Sequence, residues 1–204
     1  MDKVILFDYD GTIIDSLDVA FKAFNMVALE YGLVKMKNKK DFAKLYEQNF
    51  YESLIKMGMS KKNIKKFNLK LRNTFLKCGY GSKVFSGMKE VVNKLAEKNK
   101  IIVITSNITS TIKSSIAKNE LNIHEVLGGD IEQSKVKKIL VIKKSFPKAD
   151  IYYVGDTMGD VLEGKKARVK TIAVAWGYHP RKKLMESKPD FIVDTPEDLL
   201  KIFG

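Results

Sequence analysis

Two aspartate pairs stand where short apolar runs of the sequence end. Asp8 and Asp10 follow the first such run, and Asp156 and Asp160 follow a later one. Residues two apart in an extended segment point the same way, so Asp8 and Asp10 can face one site. Crowded carboxylates repel one another, and a divalent cation relieves that repulsion. An all-oxygen donor set suits Mg²⁺, which also accepts phosphate oxygens.

This donor set predicts phosphoryl-transfer chemistry. A carboxylate that faces a charge-neutralised phosphate can act as a nucleophile and form an aspartyl-phosphate. A second carboxyl group two residues further on can protonate the leaving oxygen and then deprotonate the attacking water. Polar groups of Thr105, Ser106 and Asn107 follow another apolar run and can bind phosphate oxygens. Lys135 can offset the charge on those oxygens during transfer.

The elements that must position these groups are short strands and intervening helices. Apolar runs rich in Val and Ile lie at residues 4–7, 101–104, 151–154, 171–175 and 191–193. Buried strands that alternate with helical patterns are typical of an α/β fold with a parallel sheet. Ligands of such sheets bind beyond the carboxyl ends of the strands, which is where the polar groups cluster.

One stretch lacks strand patterns. From residue 15 to residue 80, apolar side chains such as Leu17, Phe21 and Phe24 repeat at helical spacing. The simplest interpretation is a small helical bundle inserted after the first strand. We therefore predict an α/β core of residues 1–14 and 81–204 and a helical insertion of residues 15–80.

The motifs resemble those of the haloacid dehalogenase-like superfamily, in particular its phosphoglycolate-phosphatase-like branch. Residues 8–16, DYDGTIIDS, resemble its first motif, and residues 101–107, Lys135 and residues 155–160 resemble the second, third and fourth in the expected order. The resemblance covers essentially the whole chain. It implies a Rossmann-like core, a helical cap at residues 15–80, and a Mg²⁺-dependent phosphatase.

The resemblance also implies a role for each aspartate. Asp8 would be the nucleophile and a Mg²⁺ ligand. Asp10 would be the general acid and base, and its backbone carbonyl would be a second ligand. Asp156 would bind Mg²⁺ directly, and Asp160 would bind it or orient its waters.

The phosphate-binding residues that the resemblance implies are Ser106, Asn107 and Lys135. Two placements stay open. The hydroxyl group of the second motif belongs to Thr105 or Ser106, of which Ser106 is favoured because Asn107 follows it. The lysine of the third motif is Lys135 or one of the lysines at 137–138, and Lys135 best fits a helix start.

Composition limits the classes of binding partner that we expect. The 204 residues carry a net charge of +13, yet only three of the 37 basic residues are arginines. Nucleic-acid sites usually recruit arginine, so we expect no specific nucleic acid partner. No apolar run approaches the roughly 20 residues that span a bilayer. The expected protein is cytoplasmic, without membrane association, and a monomer or homodimer.

The leading hypothesis is a Mg²⁺-dependent phosphomonoester hydrolase that acts on a small phosphorylated metabolite through an aspartyl-phosphate. A phosphomutase of the same branch is an alternative enzyme, and it needs a cap that excludes water. A non-enzymatic phospho-receiver shares the acidic cluster, hydroxyl and lysine, but it is shorter and lacks such an insertion. The substrate is left open because the loops of the cap select it.

Overall fold

Parallel strands form one six-stranded sheet in the computed structural model, which describes residues 3–79 and 83–204. The strands are β1 (Lys3–Phe7), β2 (Lys100–Ile104), β3 (Glu125–Leu127), β4 (Asp150–Gly155), β5 (Lys170–Val174) and β6 (Phe191–Val193). Their order is β3-β2-β1-β4-β5-β6, and every neighbouring pair is parallel. The predicted α/β class with a parallel, Rossmann-like sheet is confirmed.

Five of these strands coincide with the predicted apolar runs, whereas β3 is an addition. It has three residues, of which only Val126 is buried. It pairs with β2 alone and so lies at the edge of the sheet. A strand with one buried side chain leaves no run or alternation in the sequence, which is why the pattern did not predict it.

Strand β1 occupies the middle of the sheet. Phe7 at its end is in register with Val103 of β2 on one side and Val154 of β4 on the other. The three chain segments therefore leave the sheet at the same edge. This register brings the polar residues that follow β1, β2 and β4 close together.

Helices cover both faces of the sheet and also fill the segment after β1. They are α1 (Leu17–Val27), α2 (Lys39–Ala43), α3 (Phe50–Lys56), α4 (Lys61–Lys77), α5 (Met88–Ala96), α6 (Thr109–Lys118), α7 (Lys135–Ser145), α8 (Met158–Lys166), α9 (Arg181–Glu186) and α10 (Pro196–Phe203). Ile5 and Phe7 of β1 pack with side chains of α5, α6 and α10. Val4 and Leu6 point to the opposite face and pack with α7.

Helices α1 to α4 form what we call the helical segment, and they share a second apolar core. The Phe24 ring lies 5.4 Å from that of Phe42 and 5.9 Å from that of Phe67, measured between centroids. All three rings are buried. The predicted extent of the insertion, residues 15–80, stays a prediction, and its boundary between residues 80 and 81 lies outside the described residues.

Among the described residues, no helix is both long enough and apolar enough to cross a bilayer.

Phe67→Ala tests the second core. The fully buried Phe67 ring packs edge-on against Phe24 and Tyr31. Removing it should lower the free energy of unfolding by about 3–5 kcal/mol, since both transfer energy and packing are lost. Guanidinium denaturation followed by circular dichroism measures the change. Leu69→Ala, at an exposed position of the same helix, is the matched control, and equal losses in the two variants would contradict the core.

Candidate active site

Three buried carboxylates meet at the carboxyl edge of the sheet. Asp8 follows β1, Asp156 follows β4, and Asp160 lies in the first turn of α8. One oxygen from each lies within 4.8 Å of the others. Buried, charged oxygen donors without a sulfur or nitrogen ligand among them match the preference of a hard cation such as Mg²⁺. The residues present therefore fit the predicted metal.

Asp156 is held by hydrogen bonds to both of its carboxylate oxygens. The Thr12 hydroxyl donates to Oδ1 at 3.0 Å, and the Tyr178 N–H donates to Oδ2 at 2.7 Å. The chain can approach this closely because Gly177 has no side chain: a Cβ atom there would lie 2.3 Å from the Cβ of Asp156. Gly11, with φ of +78°, turns the first motif back toward the same carboxylate.

Asp160 both caps α8 and faces the cluster. Its Oδ2 accepts hydrogen bonds from the N–H and hydroxyl of Thr157, the N-cap residue. Its Oδ1 accepts from Tyr153 Oη at 2.8 Å and from Lys135 Nζ at 2.7 Å. Burial alone would raise the pKa of Asp160, but the Lys135 charge and these hydrogen bonds outweigh it and lower the pKa. Asp160 therefore stays ionised.

Lys135 is the cation of the cluster. Its Nζ lies 2.7 Å from Asp160 and 3.0 Å from Asp8. Burial acts against its charge, but the two carboxylates outweigh burial and hold its pKa well above the ordinary value. Lys137 is exposed and pairs with Glu132, and so does not reach the cluster.

Lys138, the other nearby lysine, contacts the backbone after β2. Its Nζ donates to the Thr105 carbonyl at 2.6 Å. It thereby secures the turn after β2 from within the core, where it is almost fully buried. Of the three lysines considered from the sequence, Lys135 is thus the one that contacts the carboxylates. Its phosphate-binding role stays a prediction.

The other two carboxyl groups of the cluster, Asp8 and Asp156, have raised pKa values. Burial, together with Asp160 and Asp10, raises the pKa of Asp8 to about 7, although Lys135 acts in the opposite direction. Burial and the charges of Asp160 and Asp8 raise the pKa of Asp156 well above its usual range. Burial is the larger cause of both shifts and the neighbouring carboxylates add to it. A bound cation would favour the ionised form of both carboxylates.

Asp10 and Asn107 form a pair beside the cluster. The Asn107 side-chain amide donates to Oδ2 of Asp10 at 2.7 Å, and the Asn107 N–H donates to the Thr105 hydroxyl at 3.1 Å. The Asp10 carboxylate is not part of the described cluster, and its expected metal contact is through the backbone carbonyl. The acid–base role of Asp10 and the phosphate-binding role of Asn107 stay predictions.

Thr105 and Ser106 both line the cavity that adjoins the carboxylates. Thr105 is buried and accepts the Asn107 N–H described above, whereas Ser106 is exposed. Tyr51 of the helical segment lines the same cavity. Neither arrangement excludes contact with a phosphate, so the choice between the two hydroxyls stays open.

This cavity has a volume of about 110 Å³ and lies between the sheet edge and the helical segment. The helical segment contributes residues that the sequence did not single out for the site, including Tyr46, Asn49, Tyr51, Asn68 and Arg72. One signal was available. On α4, positions 68, 71, 72 and 75 form one helical face, and the polar residues Asn68 and Arg72 interrupt its apolar pattern.

Comparison with known proteins identifies the family. The profile described as "Haloacid dehalogenase-like hydrolase" matches residues 5–174. The chain belongs to this family. The family and the hydrolase class predicted from the motifs are confirmed.

Relatives of this haloacid dehalogenase-like hydrolase match it over nearly its whole length. It is 25% identical to a phosphoglycolate phosphatase from Synechococcus elongatus, over 98% of this chain and 96% of the relative. It is 29% identical to a putative pyrophosphatase PpaX from Caldanaerobacter subterraneus, over 97% and 93%.

Solved structures share the fold. A predicted phosphatase from Clostridium acetobutylicum superimposes with a TM-score of 0.85 at 20% identity, over 99% of this chain and 97% of that one. A haloacid dehalogenase-like hydrolase from Streptococcus pneumoniae gives 0.82 at 22% identity, over 100% and 99%.

The helical segment of this hydrolase docks on the core partly through His179. The Met158 N–H donates to Nδ1 of His179 at 2.9 Å. That bond leaves the proton on Nε2, which donates to the Ala43 carbonyl at 2.8 Å. Burial lowers the pKa of His179, so the ring is neutral and joins α2 to α8.

Thr12→Val tests how the hydrolase holds Asp156. Valine keeps the shape of threonine but removes the hydroxyl that donates to the buried Asp156 Oδ1. We expect the free energy of unfolding to fall by about 1–3 kcal/mol, because a buried polar group loses its partner. Urea denaturation measures it. Thr111→Val, at a half-buried position of α6 outside the cavity lining, is the control, and a Thr12→Val variant no less stable than this control would refute the assignment.

Proposed function

We propose that this protein is a Mg²⁺-dependent phosphomonoesterase that hydrolyses a small phosphorylated metabolite through an aspartyl-phosphate on Asp8. The observation that carries the proposal is the position of Asp8, buried between two further carboxylates and 3.0 Å from Lys135. Relatives named phosphoglycolate phosphatase and pyrophosphatase support a substrate that contains a phosphoryl group.

Asp8, Asp156 and Asp160 would hold the cation, with the backbone carbonyl of Asp10 as a further ligand. When bound, Mg²⁺ neutralises charge on the phosphate oxygens and so permits attack by an anionic nucleophile. The hydrogen bonds from Thr12 and Tyr178 fix the orientation of Asp156 while each of its oxygens keeps a second lone pair. The site is thus organised before the cation arrives.

The reaction proceeds in two displacements. A carboxylate oxygen of Asp8 attacks phosphorus, and the bond between phosphorus and the alcohol oxygen breaks. Asp10 gives its proton to that leaving oxygen. The Asp10 carboxylate then takes a proton from water, whose oxygen attacks the phosphorus of the aspartyl-phosphate. Inorganic phosphate leaves, and Asp8 and Asp10 return to their starting states.

Three groups would bind and stabilise the transferring phosphoryl group. The Lys135 ammonium faces Asp8 and can follow the negative charge that spreads over the phosphate oxygens. A hydroxyl from Thr105 or Ser106 would donate to one of those oxygens. Asn107 would add an amide or N–H contact, and its bond to Oδ2 of Asp10 orients that carboxyl group.

We further propose that residues 15–80 act as a cap that covers the site and contacts the substrate. A cavity of about 110 Å³ closes beneath the helical segment. Residues of the helical segment line this cavity together with Asp8, Asp10 and Asp160. A substrate whose phosphoryl group reaches Asp8 would therefore place its remainder against the helical segment.

Hydrolysis of p-nitrophenyl phosphate tests the proposed function. Activity should require Mg²⁺, disappear in EDTA and return when Mg²⁺ is restored in excess. Asp8→Asn should lower kcat by about 10³-fold or more, since the nucleophile is lost. Asp15→Asn, whose carboxylate pairs with Lys83 outside the cluster, is the control and should remain active.

Two results would sink this function: activity that survives EDTA, or an Asp8→Asn variant that turns over like the parent protein. With a sugar phosphate as substrate, free phosphate without an isomeric sugar phosphate excludes a phosphomutase. A stable phospho-Asp8 without turnover would instead favour a receiver.

Lys135→Met tests the predicted phosphate-binding lysine. Removing the cation that faces Asp8 should lower kcat/KM by about 10²–10³-fold, because charge on the transferring group loses its partner. Lys137→Met removes the same charge two residues away at an exposed position and should stay within about threefold of the parent. Steady-state kinetics decides the question. Comparable losses in both variants would show that overall charge, and not contact with Asp8, governs the rate.

A further inference from the structure

Arg72 is a second cation at the cavity, and the predicted chemistry does not use it. Helix α4 turns the side chains at 68, 71, 72 and 75 toward the cavity. From this face the Arg72 Nη2 crosses to the core and donates to the Ser106 carbonyl at 2.5 Å. The guanidinium therefore lies beside the turn that carries the predicted phosphate-binding hydroxyl.

The charges around the cavity distinguish Arg72 from Lys135. Among the described residues that line it, these two are the cations, and the acidic residues are Asp8, Asp10, Asp160 and Glu163. Lys135 is already engaged by two carboxylates. The hydrogen bond that Arg72 donates goes to a backbone carbonyl, which carries no formal charge. The Arg72 charge helps to lower the pKa of the Asp130 carboxyl, but Asp130 does not line the cavity.

The guanidinium has donors to spare. It carries five N–H groups in a planar fork, and the Ser106 carbonyl accepts a hydrogen bond from one of its nitrogens. This contact anchors the fork before a ligand arrives. A planar, anchored guanidinium is suited to bidentate binding of a carboxylate or phosphate.

We propose that Arg72 is a specificity-determining residue that binds a second anionic group of the substrate. This inference rests on the proposed phosphatase function. Lys135 and the hydroxyls take the transferring phosphoryl group, and Arg72 takes a carboxylate or second phosphate on the rest of the molecule. Arg72 and Lys135 line the same cavity, so the two anionic groups that they bind belong to one small molecule. The substrate class is therefore a small phosphate ester or anhydride with two anionic ends.

The substrates named in the descriptions of the relatives belong to this class. Phosphoglycolate carries a carboxylate next to its phosphoryl group, and pyrophosphate carries a second phosphate. Both ends are planar or tetrahedral oxyanions that one guanidinium can bind.

Steady-state kinetics with three substrates tests the role of Arg72. Phosphoglycolate offers a carboxylate, pyrophosphate offers a second phosphate, and ethyl phosphate offers neither. Of phosphoglycolate and pyrophosphate, the parent protein should prefer one. For that substrate, Arg72→Met should lower kcat/KM by roughly 10- to 100-fold, the range for a charge-assisted hydrogen-bonded pair. It should leave ethyl phosphate within about threefold. Most of the loss should be a rise in KM.

Matched variants separate specificity from folding. Arg72→Lys keeps the charge without the fork and should lose part of the preference for the second anion while ethyl phosphate is unaffected. Lys66→Met removes a charge from an exposed position of the same helix and should leave the substrate ranking unchanged. Thermal unfolding of each variant verifies that the fold is retained.

Different results would contradict the specificity role of Arg72 and the proposed phosphatase function. Equal losses on all three substrates would assign Arg72 to holding α4 against Ser106 and would overturn the specificity role. A parent protein that prefers ethyl phosphate would overturn it as well. A parent protein that hydrolyses neither these substrates nor p-nitrophenyl phosphate would refute the phosphatase function itself.

Discussion

Repulsion among Asp8, Asp156 and Asp160 is the constraint to which the rest of the site responds. At separations within 4.8 Å, each ionised pair repels by about 3–4 kcal/mol at the effective dielectric constant of 20 that suits protein sites. One lysine against three carboxylates leaves an excess of two negative charges, which equals the charge of one divalent cation. Burial and this repulsion together raise the pKa values of Asp8 and Asp156, whereas Lys135 and the hydrogen-bond donors around Asp160 lower its pKa despite burial.

The parallel sheet makes this crowding possible. Three neighbouring strands end in register at one edge, so residues far apart in sequence converge without long loops. Gly11 and Gly177 let backbone and carboxylate approach more closely than any side chain would allow. Helices α5, α6, α7 and α10 bury β1 on both faces. This apolar burial stabilises the fold against the repulsion among the carboxylates at the edge of the sheet.

The helical segment defines the other wall of the site through polar contacts that cross to the core. His179 joins α8 to α2, and Arg72 joins α4 to the turn after β2. Gly159 allows the first turn of α8 to lie against the Gln48 carbonyl. In the proposed function, chemistry and selectivity come from different parts of the chain: the sheet edge would supply the reacting groups, and the helices would surround the remainder of a substrate.

The sequence by itself determined the family, the α/β class and five of the six described strands, and it predicted four site aspartates, of which the structure brings Asp8, Asp156 and Asp160 together. These features are local, since an apolar run or a motif such as Asp8–Asp10 is complete within a few residues. Only the tertiary structure decided that Lys135, and not a neighbouring lysine, meets Asp160, that Asn107 bonds Asp10, and that Arg72 enters the cavity. Each of these contacts joins residues at least 25 positions apart. Such contacts depend on how helices and strands pack, which local periodicity does not encode.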